Sequence, residues 1–139
     1  MSFLLDTNAV SEWVKPRPDP GLIRWMEETD EDRIFLSTIS IAELSLGVER
    51  LPAGKRRNQL ERWLHDDLML RFEGRILPVN IQVAEAWGRV VSRSESIGHP
   101  MNSMDGFLAA TAEVHQLTLV TRNVSDFSLL KSVTNPWSG

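Results

Sequence analysis

Short runs of large apolar residues alternate along this chain with longer segments in which apolar residues recur every three or four positions. An unbroken apolar run is typical of a strand buried on both faces, whereas the recurring spacing is typical of an amphipathic helix. The alternation predicts an α/β fold whose parallel strands are joined by right-handed crossovers. Strands are expected at residues 3–5, 34–37, 75–79, 117–121 and, as a weak edge strand, 131–134. Helices are expected at residues 9–14, 22–26, 40–51, 55–72, 81–97 and 105–112, with a helical turn at 124–130.

The first apolar run is the one around which the rest of the chain is organised. Phe3, Leu4 and Leu5 are followed directly by Asp6, and a helix is expected soon after Thr7. Asp6 therefore stands where a core strand ends. Ligands of open α/β sheets bind at that edge, outside the carboxyl ends of the strands. Asp is also a preferred helix N-cap, so Asp6 considered alone is better explained by a capping role, and only further acids at the same edge change that interpretation.

Further polar residues are expected at the same edge of the sheet. Glu43 lies in the first turn of the helix after the second strand, and Asp105 lies in the first turn of the helix that leads into the fourth strand. A crossover helix runs antiparallel to the strands, so its N-terminus also lies near their carboxyl ends. Asn123 and Asp126 follow the fourth strand directly. The acids are therefore expected to converge on one cleft.

Each of these residues also has a purely structural interpretation. Ser40-x-x-Glu43 matches a capping box, in which the glutamate bonds back to the N–H of the cap residue. The helix dipole favours an acid such as Asp105 in a first turn, and Asn123-x-x-Asp126 matches a cap followed by a first-turn acid. Three carboxylates together are harder to explain in this way, because like charges ~4 Å apart repel by about 4 kcal/mol at an effective dielectric of about 20. Such a cluster requires raised pKa values or a cation, and oxygen ligands suit Mg²⁺ or Mn²⁺.

Composition is consistent with one domain over residues 1–139, since 42% of the residues are hydrophobic and 24% are charged. The chain contains no cysteine, which excludes disulfides, zinc–thiolate sites and cysteine nucleophiles. No apolar run approaches the ~18 residues of a membrane span and no signal peptide precedes Phe3, so we expect no membrane association and a cytoplasmic location.

The net charge of −4 disfavours a nucleic-acid binder. Cations bound at an acidic site would, however, reverse the local sign.

Four sequence blocks resemble those of PIN-domain ribonucleases, and more narrowly those of the VapC toxins of bacterial type II toxin–antitoxin pairs, in their FitB-like branch. The blocks are Leu4-Leu5-Asp6-Thr7-Asn8, ISIAEL at 39–44, DGFLAATA at 105–112 and VTRNVSDF at 120–127. The C-terminal Asn135-Pro136-Trp137 and the segment 74–78 also resemble that branch. The similarity follows nearly the whole chain in order.

The resemblance implies a three-layer α/β/α fold around a central parallel sheet of four to five strands, and cleavage of RNA that depends on Mg²⁺ or Mn²⁺. It assigns Asp6, Glu43 and Asp105 to the acidic triad of the family. The fourth acidic position falls at Asn123, an amide, with Asp126 close by, so one negative ligand for a second metal is lacking. It also implies a homodimer and a small antitoxin protein whose tail covers the acidic cleft.

Our mechanistic hypothesis is that Asp6 and Asp105 bind the metal, with Glu43 as a further ligand or as a base that orients a water. In-line attack on the phosphodiester would leave a 5′-phosphate and a 3′-hydroxyl, as the resemblance implies. Oxygen-rich sites of this kind need neighbours that hold the rotamers of the ligands. The residues expected to do so are Thr7, Asn8 and Thr121.

A basic run on the helix that starts at residue 55 is a candidate for contact with RNA phosphates. It consists of Lys55, Arg56 and Arg57. A charge run of this kind is usually a solvated helix face, so the sequence leaves both interpretations open.

Two other functions are compatible with acids at a sheet edge. A receiver-like phosphoacceptor domain also gathers acids and Mg²⁺ there, but it needs a lysine after a late strand, and Lys131 precedes the last expected strand. A non-catalytic regulatory domain whose acids only cap helices would show no rise in thermal stability on addition of a divalent metal, whereas a metal site would.

Overall fold

The computed structural model describes residues 1–138, and within that range five parallel strands form one sheet in the order β3-β2-β1-β4-β5. Each strand is short, and each coincides with one of the predicted apolar runs. The strands are β1 (Phe3–Leu5), β2 (Ile34–Ser37), β3 (Ile76–Leu77), β4 (Thr118–Val120) and β5 (Val133–Thr134). The predicted α/β class with a parallel sheet of four to five strands is therefore confirmed.

Helices connect the strands, and most begin within two residues of the predicted position. The helices are α1 (Thr7–Trp13), α2 (Pro20–Glu28), α3 (Thr38–Glu49), α4 (Lys55–Arg62), α5 (Met69–Arg71), α6 (Ile81–Ser96) and α7 (Ser103–His115). Two 3-10 turns lie at Glu31–Arg33 and Val124–Phe127, and a π-helical segment lies at Trp63–Leu68.

The single helix predicted from residue 55 to residue 72 is interrupted by the π-helical segment. Leu64, Leu68 and Phe72 follow one another at four-residue spacing and are all buried. In an α-helix of 3.6 residues per turn, side chains spaced four residues apart point in progressively rotated directions around the helix axis. The wider π turn compensates for that rotation. The interruption therefore keeps the three side chains facing the sheet.

The alternation of side chains along the strands divides the core into two layers. Leu4 and Leu119 pack on one face against α6 and α7, where the core includes Val90 and Leu108. Their sequence neighbours pack on the opposite face against α1, α2 and the helical segment that ends at Phe72. The molecule is thus a three-layer α/β/α structure, as predicted.

The carboxyl edge of the sheet is where several helices begin. Asp6 separates β1 from α1, and α3 starts at Thr38 immediately after β2. The 3-10 turn that starts at Val124 follows β4 at the same edge. In residues 1–138, no helix combines the length and the apolarity that crossing a bilayer requires.

Candidate active site

Asp6 is held at the end of β1 by both its backbone and its side chain. Its N–H donates to Val120 O at 2.9 Å, which extends the β1–β4 ladder by one residue. Asp6 Oδ1 accepts from the N–H of Thr7 at 2.6 Å, so the side chain does cap α1. Asp6 Oδ2 accepts from Thr121 Oγ1 at 2.7 Å and from Asn8 Nδ2 at 3.2 Å. Asp6 therefore does cap α1, but it uses only one carboxylate oxygen for the cap, and the other oxygen joins the end of β1 to Thr121 and Asn8.

Glu43 is tied to the same neighbourhood through Thr7. The Thr7 hydroxyl donates to Glu43 Oε1 at 2.6 Å and lies 3.0 Å from Ser40 Oγ. The capping-box interpretation of Ser40 and Glu43 is wrong, because Ser37 caps α3 by accepting from the N–H of Ile39 at 3.0 Å. Since β2 runs into α3 without a loop, the last strand residue is the cap, and Ser40 is buried inside the helix. The prediction that Glu43 lies in the first turn is wrong for the same reason, because the earlier start of α3 places Glu43 in its second turn.

Asp105 lies in the first turn of α7, as predicted, beside the cap residue Asn102. Asn102 Oδ1 accepts from the N–H of Asp105 at 2.8 Å, and Asn102 Nδ2 donates to Asp105 Oδ2 at 3.1 Å. Burial, followed by the charges of Asp6, Asp126 and Glu43, raises the pKa of Asp105 from 3.8 to about 6. Asp105 is therefore within electrostatic reach of all three other acids.

Asn123 and Asp126 lie on the exposed turn after β4. The backbone N–H of Asn123 donates to Thr121 Oγ1 at 3.0 Å, while its side chain makes no capping bond. The N–H of Asp126 donates to Asn123 O at 3.1 Å, which orients the turn. The charge of Asp126 contributes to the raised pKa of both Asp105 and Asp6. Of the two residues after β4, Asp126 is thus the one that adds negative charge to the cleft.

Asp6 and Asp105 are consequently repelled by two further acids, Glu43 and Asp126, at the same edge of the sheet. Burial raises the pKa of Asp6 most, hydrogen bonds from Thr121 and Thr7 lower it, and the charges of Glu43 and Asp126 raise it further. The ion pairs found among residues 1–138 involve other acids. Over the same residues, no three or more Asp, Glu, His or Cys side chains are grouped closely enough to enclose a metal ion. The cleft is an anionic cluster rather than a closed cage of ligands.

This donor set fits a hard divalent cation. Mg²⁺ usually keeps several waters and binds through one or two carboxylates together with substrate phosphate, so it does not need a complete protein cage. The cleft offers carboxylate oxygens, and Asp6 is only 6% exposed without an ion-pair partner. A buried carboxylate with no counter-charge is what a bound cation would stabilise.

The family model described as PIN domain matches residues 3–130. The chain belongs to the PIN-domain family. It is 38% identical over 136 residues to Toxin FitB of Neisseria gonorrhoeae, covering 97% of this chain and 98% of that protein. It is 32% identical over 136 residues to VapC ribonuclease Y4jK of Sinorhizobium fredii, covering 97% of each. The crystal structure of FitAcB from Neisseria gonorrhoeae matches with a TM-score of 0.91 at 37% identity, covering 99% of both chains. The predicted family is confirmed.

The basic run of this PIN domain lies on α4, which has no buried residue. Lys55 and Arg56 are exposed, whereas Arg57 Nη2 pairs with Glu49 Oε2 at 2.9 Å and Arg57 Nη1 donates to Leu51 O at 3.4 Å. Arg57 would have to leave these partners to contact a phosphate. Contact of all three residues with RNA stays a prediction.

The sequence analysis missed Asn102 as a residue of the site, and it missed the contact that Ser40 makes there. Asn102 bonds to both the backbone and the carboxylate of Asp105, and Ser40 lies against the Thr7 hydroxyl. An Asn three positions before a helical Asp is a signal for the first of these contacts. The contact between Ser40 and Thr7 had no local signal in the sequence, because the two residues are 33 positions apart.

Proposed function

We propose that this PIN domain, as one nuclease domain over residues 1–139, is the toxin of a type II toxin–antitoxin pair and hydrolyses RNA phosphodiesters in the cytoplasm with Mg²⁺ or Mn²⁺. The observation that carries the proposal is that carboxylates from separate elements converge at one sheet edge, where burial and the charges of neighbouring acids raise the pKa of Asp6 and Asp105. PIN-domain ribonucleases generally depend on a divalent metal. Relatives named as a toxin and as a VapC ribonuclease support the same activity.

The acids have separate roles in this proposal. Asp6 and Asp105 would hold the cation, and Glu43 would be a further ligand or would accept a proton from the attacking water. Thr7 donates to Glu43 Oε1, which leaves Oε2 as the oxygen for that water. Asp126, with Asn123 beside it, supplies the negative charge of the fourth acidic position. When bound, a divalent cation supplies an activated water and stabilises negative charge on the phosphate oxygens.

Neutral hydrogen-bonding neighbours keep the acids in place. Thr121 and Asn8 both donate to Asp6 Oδ2, and Asn8 Oδ1 accepts from the N–H of Arg122 at 3.4 Å. These contacts join the ends of β1 and β4 and restrict the Asp6 rotamer, as outer contacts do for metal ligands generally. In-line attack at the scissile phosphate would leave a 5′-phosphate and a 3′-hydroxyl.

A small antitoxin protein is the proposed partner, and the chain is proposed to form a homodimer as its family resemblance implies. A cluster of carboxylates attracts a cationic side chain, so an arginine on the antitoxin tail would occupy the cleft and block substrate. The same electrostatics explain why RNA needs a cation to approach this cleft.

The test of the nuclease site compares wild type with Asp6→Ala, and with Asp67→Asn as a control at an exposed acid outside the cleft. Mg²⁺ or Mn²⁺ should raise the thermal midpoint of wild type and of Asp67→Asn by mass action, and both should cleave RNA. Asp6→Ala should lose both the metal-dependent shift and the cleavage. Cleavage at the wild-type rate by folded Asp6→Ala would overturn the assignment.

The test of the toxin role is inducible expression in a bacterium. Wild type should arrest growth and produce new RNA ends that carry a 5′-phosphate, whereas Asp6→Ala should do neither. Growth arrest by both proteins, or by neither, would contradict the toxin role while leaving the nuclease site to be judged by the purified protein.

A further inference from the structure

A second feature lies directly beside the carboxylates. A cleft of about 210 Å³ opens between the α6–α7 loop and the turn after β4. Asp105 and Asp126 line it, and the remaining wall includes His99, Met101, Ser125, Ser128 and Leu129. The cleft is therefore continuous with the proposed nuclease site but extends beyond its acids.

The loop that forms one wall is fixed at both ends. Gly98 adopts a left-handed backbone with φ of 77°, which ends α6, and the N–H of His99 closes the turn by donating to Ser94 O at 2.9 Å. This is the bonding pattern of a Schellman cap, in which glycine carries no steric cost. At the other end Asn102 caps α7, and Met101 packs against the core layer of α6 and α7. The position of His99 is thus set by the backbone on both sides of it.

The opposite wall is held by a buried anchor. Phe127 is only 1% exposed and belongs to the same core layer. Its carbonyl accepts from the N–H of Leu130 at 3.0 Å, so the turn that carries the exposed residues Ser125 and Ser128 is joined to the next segment. Both walls are therefore formed by the folded chain before any ligand binds.

The chemistry of the walls selects the kind of occupant. The two lining carboxylates repel an anion, so a phosphate is not the ligand of the cleft itself. An imidazole ring, a thioether and a leucine offer apolar and stacking surface, while the serine hydroxyls both donate and accept hydrogen bonds. A flat, neutral ring with polar edges matches this combination, and a nucleobase is such a ring.

We propose that this cleft binds one nucleobase of the RNA strand, next to the phosphodiester that is cleaved, and that His99 stacks on that base. The inference rests on the proposed nuclease function and adds the source of its sequence preference. The volume of about 210 Å³ limits the cleft to a single base. His99 would then be a specificity residue rather than a participant in bond cleavage.

The kinetic test uses RNA oligonucleotides in which a single nucleotide on either side of the cleaved bond lacks its base. For wild type, removing the base at one of these positions should lower kcat/KM by about tenfold, the size of effect that one stacked base produces. His99→Ala should cleave the intact oligonucleotide about tenfold more slowly and should respond less than twofold to the missing base. His115→Ala, at an exposed histidine on the last turn of α7, is the matched control and should behave like wild type. Full sensitivity of His99→Ala to the missing base would overturn the proposal.

A binding test separates this inference from the nuclease function. Neutral nucleosides, which carry no phosphate, are titrated at millimolar concentration into the wild-type protein without metal while NMR follows the histidine ring signals. At least one nucleoside should shift the signal of His99 and leave that of His115 unchanged. A shift in a protein that does not cleave RNA would support the base cleft and contradict the nuclease. Arginine amide is titrated in the same way as a probe for a peptide. Cleavage of RNA without any shift by a nucleoside would overturn the base cleft, and a shift with arginine amide alone would overturn it in favour of a peptide occupant.

Discussion

Thr121 shows how much of the site depends on a side chain that carries no charge. It is fully buried, its hydroxyl donates to Asp6 Oδ2 at 2.7 Å, and the same oxygen accepts from the N–H of Asn123 at 3.0 Å. One hydroxyl therefore links the acid at the end of β1 to the turn that carries Asp126. A conservative change at this position should disturb the metal site more than the fold.

Thr121→Val should weaken binding of Mn²⁺ by about 10–100-fold, because a neighbour that orients a ligand is lost. It should also lower the free energy of unfolding by about 1–3 kcal/mol, since the buried Asp6 oxygen and the Asn123 N–H each lose a partner. Titration calorimetry and urea denaturation measure the two effects. Thr118→Val is the matched control, since Thr118 begins β4, whereas Thr121 directly follows that strand, and the Thr118 hydroxyl bonds to Ser132 Oγ at 2.6 Å. Equal metal affinities in the two variants would contradict the orienting role.

The raised pKa of Asp105 predicts a pH dependence of stability with a definite sign. The pKa of Asp105 is about 6 in the folded protein, whereas the ordinary value for an aspartate is 3.8. The folded protein therefore binds this proton more tightly than the unfolded chain does. The charged form of Asp105 therefore destabilises the folded protein. This destabilisation is absent below about pH 4, grows as the pH rises to about 6, and is complete above that.

Asp105→Asn should therefore be more stable than wild type in EDTA near pH 7.5, by about 1–3 kcal/mol after solvent screening, and should lose this advantage near pH 4. The asparagine can keep the contact with Asn102 through its own carbonyl oxygen. Denaturation at the two pH values measures the difference, and Asp67→Asn is the exposed control. The explanation would fail if Asp105→Asn were less stable than wild type at both pH values.

At the scale of elements, the close approach of α6 and α7 places Asp105 against the sheet edge. Gly106 permits that approach, because a Cβ at this position would lie 2.8 Å from Trp87 Nε1 and 3.0 Å from Val91 Cγ2. Trp87 cannot easily move, since it stacks on Phe107 with ring centroids 5.2 Å apart and donates to Ser103 O at 3.2 Å.

Gly106→Ala should consequently lower the free energy of unfolding by about 1–3 kcal/mol, which is the usual cost of overpacking. Urea denaturation measures this change. Gly88→Ala on α6 is the matched control, because no atom lies within 4 Å of its added Cβ. An alanine there should be neutral or stabilising by up to about 1 kcal/mol. A destabilisation of the same size in both variants would indicate a general helix effect rather than packing.

The elements differ in how well the sequence predicted them. The strands followed from short apolar runs, because burial on both faces leaves a local signal. The start of α3 could not be predicted from such a local signal. Ser37 and Ser40 both precede helix-like sequence, and only the direct junction of β2 with α3 decides that Ser37 is the cap. The π-helical segment after α4 keeps Leu64, Leu68 and Phe72 packed against the sheet. The sequence did not predict it, because the position of the sheet relative to this helix is set by distant residues.

At the scale of the whole molecule, the C-terminal segment is anchored to the start of α2. Asp19 caps α2 through Leu22 N–H at 3.0 Å and accepts from Ser138 N at 3.0 Å and Ser138 Oγ at 2.9 Å. Trp137 packs with the core layer of α1 and α2. A Cβ at Gly21 would collide with Pro136 O and would lie 2.7 Å from Ser138 N. The anchoring therefore needs glycine for close approach.

Gly21→Ala should displace the segment that follows Asn135 and lower the thermal midpoint by several degrees, since it exposes Trp137. Differential scanning calorimetry measures the midpoint, and emission of the buried indole should shift to longer wavelength. Gly47→Ala in α3 is the control, because nothing lies within 4 Å of its added Cβ. An unchanged midpoint and emission in Gly21→Ala would contradict the anchoring.

The sequence by itself determined the α/β class, the order of strands and helices along the chain and the family, because apolar periodicity and motif spacing are local properties. It also predicted that Asp6 and Asp105 would stand at a strand end and a helix start, but it placed Glu43 one turn too close to the start of α3. Only the tertiary structure decided which hydroxyl holds which acid, as with Thr121 and Asp6, which are 115 positions apart in the chain. It likewise decided the shared electrostatics of the acids and the cleft beside His99. Such features depend on distances between side chains from separate elements, and those distances exist only once the sheet and its helices have packed.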